Sequence, residues 1–469
     1  MVAPAGQALA AEQQFESPLD PDHLFETLSA LARKHQVPGA QLAIHYGGET
    51  VAVEVGELEY GTEHRVTRDA AFPIGSVSKT FTATVAMILV ADGDLELDTP
   101  LGEYVPELGD LGNEVTLRQL LSHTAGFATG PAQEMPTNAS IRRYVLDNCC
   151  RQNLVLSPGT SFSYSNMGYV LVGHLIEVIT GMSWWDAMES ILLRPLRIEP
   201  TFIAAPGLQP LGRPLAKGHS INIAMGRTRS VEHSSALDEA PAGGLAMSAV
   251  DLVTLGMTQL DGGAPALLPA AYAAEMQQAV PNAEPLIAAD GWGLGVAIFG
   301  KGSTAWVGHF GGMAGAHCDV RLDPSSGCIV AFTSNADTGT NMWYELADEL
   351  RRAGLPIKGC SNIEALGRPT VPPQGCVGSY LNGKMEYLVA PTDTGALSIA
   401  INGDVAMELI FFEDLNFSAA EHPVMRGRFL RDPVTGEIER IQFGIVVACR
   451  RSVASENERC LMGARTAFV

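Results

Sequence analysis

Apolar and polar positions follow two rhythms along the chain. Residues 22–35 have helical spacing, with Leu24, Phe25, Leu28 and Leu31 on one face. Residues 41–46 and 50–55 alternate, and Gly47-Gly48 between them signals a hairpin. The stretch 71–93 opens apolar, turns at Gly75 and continues as one long helix ending near Gly93. From Thr80 to Ala91 almost every position is apolar or small, so this helix belongs inside the molecule. Helical spacing returns over 117–122, 140–153, 167–179 (closed by Gly181) and 184–193. Residues 98–115 and 200–235 show no period and are predicted as loops. Pro241-Ala242-Gly243-Gly244-Leu245 is predicted to open a helix whose N-cap is Ser248, followed by Asp251. Strand-like runs follow at 291–299, 305–310, 316–322 and 328–335, and then a helix at 342–353.

Strands at both ends and helices between them predict an α+β fold, an antiparallel sheet flanked by helices. The rhythm changes after Gly354. Residues 355–375 carry four prolines and no period, and are predicted as a linker. From 376 to 469 short strands alternate with turns such as Asn382-Gly383 and Asn402-Gly403, which predicts a small all-β barrel. Residues 1–20 are predicted as a flexible arm, and 21–354 as the larger domain.

Composition narrows the setting. With 469 residues there is room for two or three domains. A net charge of −22 argues against nucleic acid and anionic membranes as partners. No run of about eighteen apolar residues is uninterrupted, so no membrane span is predicted. No basic residue precedes Arg33, and no apolar core follows the start, so no secretory signal is read. The eight cysteines are scattered without a C-x-x-C pair. Reduced thiols in a cytoplasmic protein are expected, with no metal and no cofactor.

The chemistry is carried by side chains. Ser76 and Lys79 are three apart and share one face of the buried helix. Apolar surroundings depress a lysine pKa, so Lys79 can take the Ser76 proton. An N-cap serine beside an exposed lysine is the commoner meaning of a bare S-x-x-K. In Tyr164-Ser165-Asn166, residues two apart face one side. A phenol near an ammonium can be held ionised, and an amide can bond both a carbonyl and the lysine. The same triplet also reads as an N-cap Asn opening the next helix. In His309-Phe310-Gly311-Gly312 the glycines admit close backbone approach. The Gly312 and Ser76 N–H groups can face an oxyanion. A half-buried strand histidine with turn glycines fits as well. His123, in Ser-His-Thr-Ala-Gly, is read as a helix-end histidine bracing a loop.

S-x-x-K, Y-S-N and H-F-G-G, in this order, resemble the serine β-lactamase and penicillin-binding-protein-like superfamily. The branch most resembled is that of class C β-lactamases, D-aminopeptidases and esterases. LRQLLSHTAG (117–126), PAGGLAMSAVDL (241–252) and GHFGGMAGA (308–316) match too, and the likeness covers about residues 20–355. It implies a β-lactamase-like domain with an all-helical subdomain, and an acyl-enzyme mechanism. Ser76 would be the nucleophile. Lys79 and Tyr164 would share general-base and general-acid duty, and Asn166 would position Lys79 and the substrate amide. Ser76 and Gly312 would form the oxyanion hole, with His309 where penicillin-recognising members have Lys. Phe310, Gly311, Gly243 and Gly244 would line the substrate. The C-terminal unit resembles a lipocalin-like domain. Together with GMSWWDAMESILLRPLRIEP (181–200) and DGWGLGV (290–296), it is similar to penicillin-binding-protein-type thioesterases. That implies a nonribosomal peptidyl thioester, delivered by a carrier protein, released by head-to-tail cyclisation through a D-residue. The alternative is hydrolysis, as by a D-aminopeptidase or esterase. Arg450 or Arg451 could bind a charged or polar peptide group, although a solvated strand end is the commoner meaning of such residues.

Overall fold

A computed structural model of the chain describes residues 19–130, 140–203, 213–233, 236–260, 266–361 and 366–451. Most of the expected N-terminal arm therefore lies outside the described residues. Helix α1, Pro21–Lys34, is capped by Asp20 and buries Leu24, Leu28 and Leu31. Strands β1, Gly39–Tyr46, and β2, Glu49–Gly56, form the first hairpin. A two-residue β3, Phe72–Pro73, leads into a 3-10 turn, Gly75–Val77, and then α2, Ser78–Asp92. Every residue of α2 from Ser78 to Leu89 is buried, and Gly93 ends it in the left-handed conformation.

The helical half contains α3, Leu117–Leu121, α4, Ile141–Asn148, α5, Asn166–Thr180, and α6, Trp184–Ala187. Strands β4, Gly218–Asn222, and β5, Arg227–Val231, pair with each other. Next come α7, Ala240–Gly243, β6, Ala246–Met247, α8, Ala249–Met257, and α9, Ala270–Met276. The sheet is completed by β7, Gly291–Trp292, β8, Ala297–Phe299, β9, Trp306–Met313, β10, Ala316–Asp323, and β11, Cys328–Ser334. Helix α10, Gly339–Arg352, returns against α1. Strand order is β2-β1-β11-β10-β9-β8-β7, antiparallel throughout. One apolar core holds α2, α5 and α8; the other lies under α1 and α10.

The eight remaining strands are β12, Gly378–Asn382, β13, Met385–Pro391, β14, Leu397–Ile401, β15, Met407–Phe411, β16, Asn416–Ala419, β17, Arg426–Arg431, β18, Ile438–Phe443, and β19, Val446–Arg450. Each pairs with the next and β19 returns to β12, which closes an all-antiparallel barrel. Its interior is filled by Tyr380, Phe411, Phe417 and Phe429, with Phe417 and Phe429 centroids 5.1 Å apart. Arg450 is a brace, not a free guanidinium. It donates to the Val377 and Ile438 carbonyls and to the Tyr380 hydroxyl, and lies 4.9 Å above the Tyr380 ring. Arg451 lies 3.8 Å from Glu386.

Several local expectations need correction. The expected loop 200–235 contains the β4–β5 hairpin, whose exposed, polar strands lack an apolar alternation. The run 291–299 is two strands, because Gly295 turns the chain at φ +82°. The glycines after Ala242 end α7, so the Ser248 cap opens a separate helix. The pattern 140–153 breaks after Asn148, and 184–193 passes from α into a π turn at Met188. Two 3-10 turns, Leu101–Glu103 and Pro106–Asn113, organise the loop 98–115. Leu355 and Ile357, at the start of the expected linker, pack into the core under α1. No helix among the described residues is long and apolar enough to cross a membrane.

Candidate active site

Ser76 sits in the 3-10 turn that runs into α2, half-buried among fully buried neighbours. The turn continues the helical path, so Lys79 still lies over Ser76, with Nζ 3.1 Å from Oγ. Lys79 is fully buried and donates to the Ala242 carbonyl at 2.7 Å. Burial brings its pKa down to about 7, with the Glu239 carboxylate pulling the other way. The amine is therefore substantially neutral near pH 7 and can accept a proton.

The Tyr164 ring lies 4.9 Å from Lys79 Nζ. The expectation of an ionised phenol fails. Burial raises the Tyr164 pKa well above the ordinary tyrosine range, outweighing the opposing pull of the Ser76 hydroxyl. Tyr164 rests as a neutral phenol facing Ser76. The alternative reading of Asn166 as an N-cap does not hold: Ser165 caps α5, its Oγ accepting from Gly168 N at 3.1 Å. Asn166 is the first helical residue, and its Oδ1 is buried without a partner among the described residues. Lys79 is held by the Ala242 carbonyl rather than by Asn166.

Strand β9 lies directly against the Ser76 turn. A Cβ on Gly311 would fall 2.0 Å from the Ile74 carbonyl and 3.0 Å from Ser76 N. A Cβ on Gly75, where φ is +49°, would fall 2.4 Å from the Gly312 carbonyl. Only glycine at both positions lets the two backbones meet, and that contact brings Gly312 beside Ser76. His309 is buried, and its Nδ1 hydrogen donates to the Phe310 carbonyl at 2.7 Å. Burial and nearby Lys79 bring its pKa down to about 3. It is a neutral imidazole with a bare Nε2, not a replacement cation. Its ring and that of Phe310 pack on Trp292 at 5.3 and 6.3 Å. A Cβ on Gly243 would lie 3.9 Å from the Gly75 backbone, whereas Gly244 turns inward onto Ala240 and away from this cluster.

The Tyr164 loop is braced from two sides. His123 Nδ1 accepts from Ser165 N at 3.1 Å, and its ring lies 4.2 Å from that of Tyr164. On the other side stands the barrel. The Ile445 carbonyl, in the β18–β19 turn, accepts from Tyr164 N at 2.9 Å. Asn382, fully buried, accepts from Thr129 N at 2.8 Å and donates to the Val447 carbonyl at 2.7 Å. Thr129 Oγ1 donates to the Tyr164 carbonyl, and Asn166 N to the Thr129 carbonyl. The barrel therefore grips the backbone that carries Tyr164 and Asn166. Sequence reasoning missed Asn382, Ile445 and Glu239; Ala242 stood within a quoted segment.

A half-buried serine beside a buried lysine and a neutral phenol, at the edge of this sheet, is the arrangement of a serine hydrolase or acyltransferase. The chain belongs to the β-lactamase family: the family model Beta-lactamase matches residues 21–354. It is 32% identical over 344 residues to penicillin-binding protein 4 of Amycolatopsis lactamdurans, covering 71% of this chain and 90% of that one. The crystal structure of SurE is 38% identical with a TM-score of 0.83, over 92% of this chain and 99% of that chain, and SurE has also been solved with D-Leu. An unguisins hydrolase of Aspergillus campestris is 26% identical over 355 residues, covering 71% of this chain and 65% of that one.

Proposed function

We propose that this chain is an acyltransferase that accepts a carrier-bound peptidyl thioester on Ser76 and releases it by head-to-tail cyclisation. The observation that carries the reading is the near full-length likeness to SurE, which extends beyond the β-lactamase domain through the barrel. The solved SurE complex with D-Leu supports a D-residue at the acylating end. A carrier-bound substrate places the reaction in the cytoplasm.

Neutral Lys79 takes the Ser76 proton as Oγ attacks the thioester carbonyl. Ser76 N and Gly312 N face the developing oxyanion. Tyr164, a neutral phenol, relays a proton to the leaving thiolate. The acyl-serine then meets the peptide's own amine, which a shaped pocket presents at high effective concentration against water. The barrel grip on Tyr164 and Asn166 supports a role for that unit in shaping the pocket.

The test is a linear peptidyl thioester ending in a D-residue. Mass spectrometry is expected to find a product lighter than the linear acid by one water, absent with Ser76→Ala. Linear acid alone across several peptides would overturn cyclisation. It would favour hydrolysis, the second reading, which the likeness to an unguisins hydrolase supports.

A further inference from the structure

Glu239 stands apart from every catalytic assignment made so far. It ends the 3-10 turn Leu237–Glu239, directly before the short helix whose Ala242 carbonyl holds Lys79. The carboxylate is half-buried and close enough to Lys79 that each shifts the other's proton affinity. Burial and neighbouring Asp238 raise its pKa. Among the described residues the carboxylate accepts no hydrogen bond, and Lys79 is the one charge that pulls its pKa back down. A partly buried carboxylate without a donor is costly and asks for a cationic partner.

A second group points to the same place. Tyr144 is 2% exposed, and its hydroxyl has no partner among the described residues. Glu239 Oε1 and the Tyr144 hydroxyl both lie within 4.0 Å of one point beside the Gly130 Cα. The Asn166 side chain borders that point, also at 4.0 Å, and its buried Oδ1 lacks a donor too. Two oxygens without a hydrogen-bond donor, Glu239 Oε1 and the Tyr144 hydroxyl, therefore converge on one point bordered by the Asn166 side chain, and Glu239 is electrostatically coupled to Lys79. A primary ammonium, with three N–H donors and one positive charge, satisfies such a set. No group of three or more His, Cys, Asp or Glu side chains able to hold a metal ion occurs among the described residues.

We infer that Glu239 and Tyr144 form the subsite that receives the attacking amine, as its ammonium, beside the acyl-Ser76 ester. This rests on the acyltransfer reading above and names its second substrate class, a primary amine. The bound ammonium gives one proton to neutral Lys79. The amine nitrogen attacks the ester carbonyl, the C–N bond forms and the C–Oγ bond breaks. The second nitrogen proton ends on Ser76 Oγ, and Lys79 later releases its proton to water.

The experiment measures how one acyl-enzyme divides among acceptors, a ratio independent of the rate of acylation. The peptidyl thioester is turned over by wild type, Glu239→Gln and Tyr144→Phe, and ring and linear acid are quantified. A shorter acyl thioester that cannot cyclise is turned over with added D-alanine amide or methanol. The ring-to-acid and amide-to-acid ratios are expected to fall at least tenfold in Glu239→Gln and severalfold in Tyr144→Phe. The methyl-ester-to-acid ratio is expected to hold within twofold, which a general distortion of the site would not allow. Tyr144→Phe removes only an unpartnered hydroxyl, so it remains a folded probe if Glu239→Gln does not. Unchanged ring and amide ratios in the folded variants would overturn the inference, as would amine and methanol ratios falling together. If wild type makes neither ring nor amide, the acyltransfer reading itself falls; if wild type makes them and the variants do too, only this subsite falls.

Discussion

Replacing Lys79 by methionine separates two consequences of burying an amine. The folded pKa is about 7 against an ordinary value of 10.5. At about 1.4 kcal/mol per pH unit, that gap is a folding penalty of about 5 kcal/mol whenever the amine is protonated. Between pH 7 and 10.5 the unfolded chain holds one more proton than the folded one, so stability rises with pH across that window. Below pH 7 both states hold the proton and the penalty is constant. Lys79→Met removes it but strands the Ala242 carbonyl, at a cost of about 1–3 kcal/mol. The variant is therefore expected to be about 2–4 kcal/mol more stable than wild type at pH 6, with the advantage gone by pH 10. All five tryptophans lie before residue 354, so tryptophan fluorescence in urea follows the catalytic domain and not the barrel. In parallel, fluorophosphonate labelling of wild-type Ser76 should rise through an apparent pKa of about 7 and then level off; the variant should label at least a hundredfold more slowly, the range for loss of a positioned base. A stability difference that does not change between pH 6 and 10, or a labelling inflection above pH 9, would refute the argument.

Three further outcomes follow from the same geometry. Asn382→Ala leaves the buried Val447 carbonyl and the half-buried Thr129 N without partners, which should cost roughly 1–4 kcal/mol in urea unfolding. Turnover of the folded fraction should fall more than tenfold, with faster amide exchange at Thr129 and Tyr164. Gly311→Ala drives a Cβ into the Ile74 carbonyl and towards Ser76 N, so acylation should fall by about a hundredfold or more, the scale of an ångström-sized misplacement. Tyr164→Phe should lower kcat by about a hundredfold to ten-thousandfold, and the wild-type rate should show no inflection between pH 8 and 10, because burial keeps the phenol neutral there.

The sequence by itself determined the elements with one dominant signal. Helix α2 is apolar on every side, so it had to be interior, and its first turn had to bring Ser76 and Lys79 together. The barrel was legible because Asn-Gly turns punctuate alternating strands. The grouping of Ser76, Tyr164 and the His309 strand was legible only as a joint pattern, since each motif alone has commonplace meanings. The β4–β5 hairpin was not legible, because exposed polar strands carry no apolar alternation. Tertiary structure alone decided the charge state of Tyr164. The lowered Lys79 pKa was legible from its apolar helix, but whether Tyr164 is phenol or phenolate depends on burial by groups distant in the chain. It also decided the two contacts on which the site depends. The Gly75–Gly312 approach and the Asn382–Thr129 bond join residues more than two hundred positions apart. No local spacing encodes such pairs; they exist because the sheet closes on the Ser76 turn and the barrel on the loop that carries Tyr164.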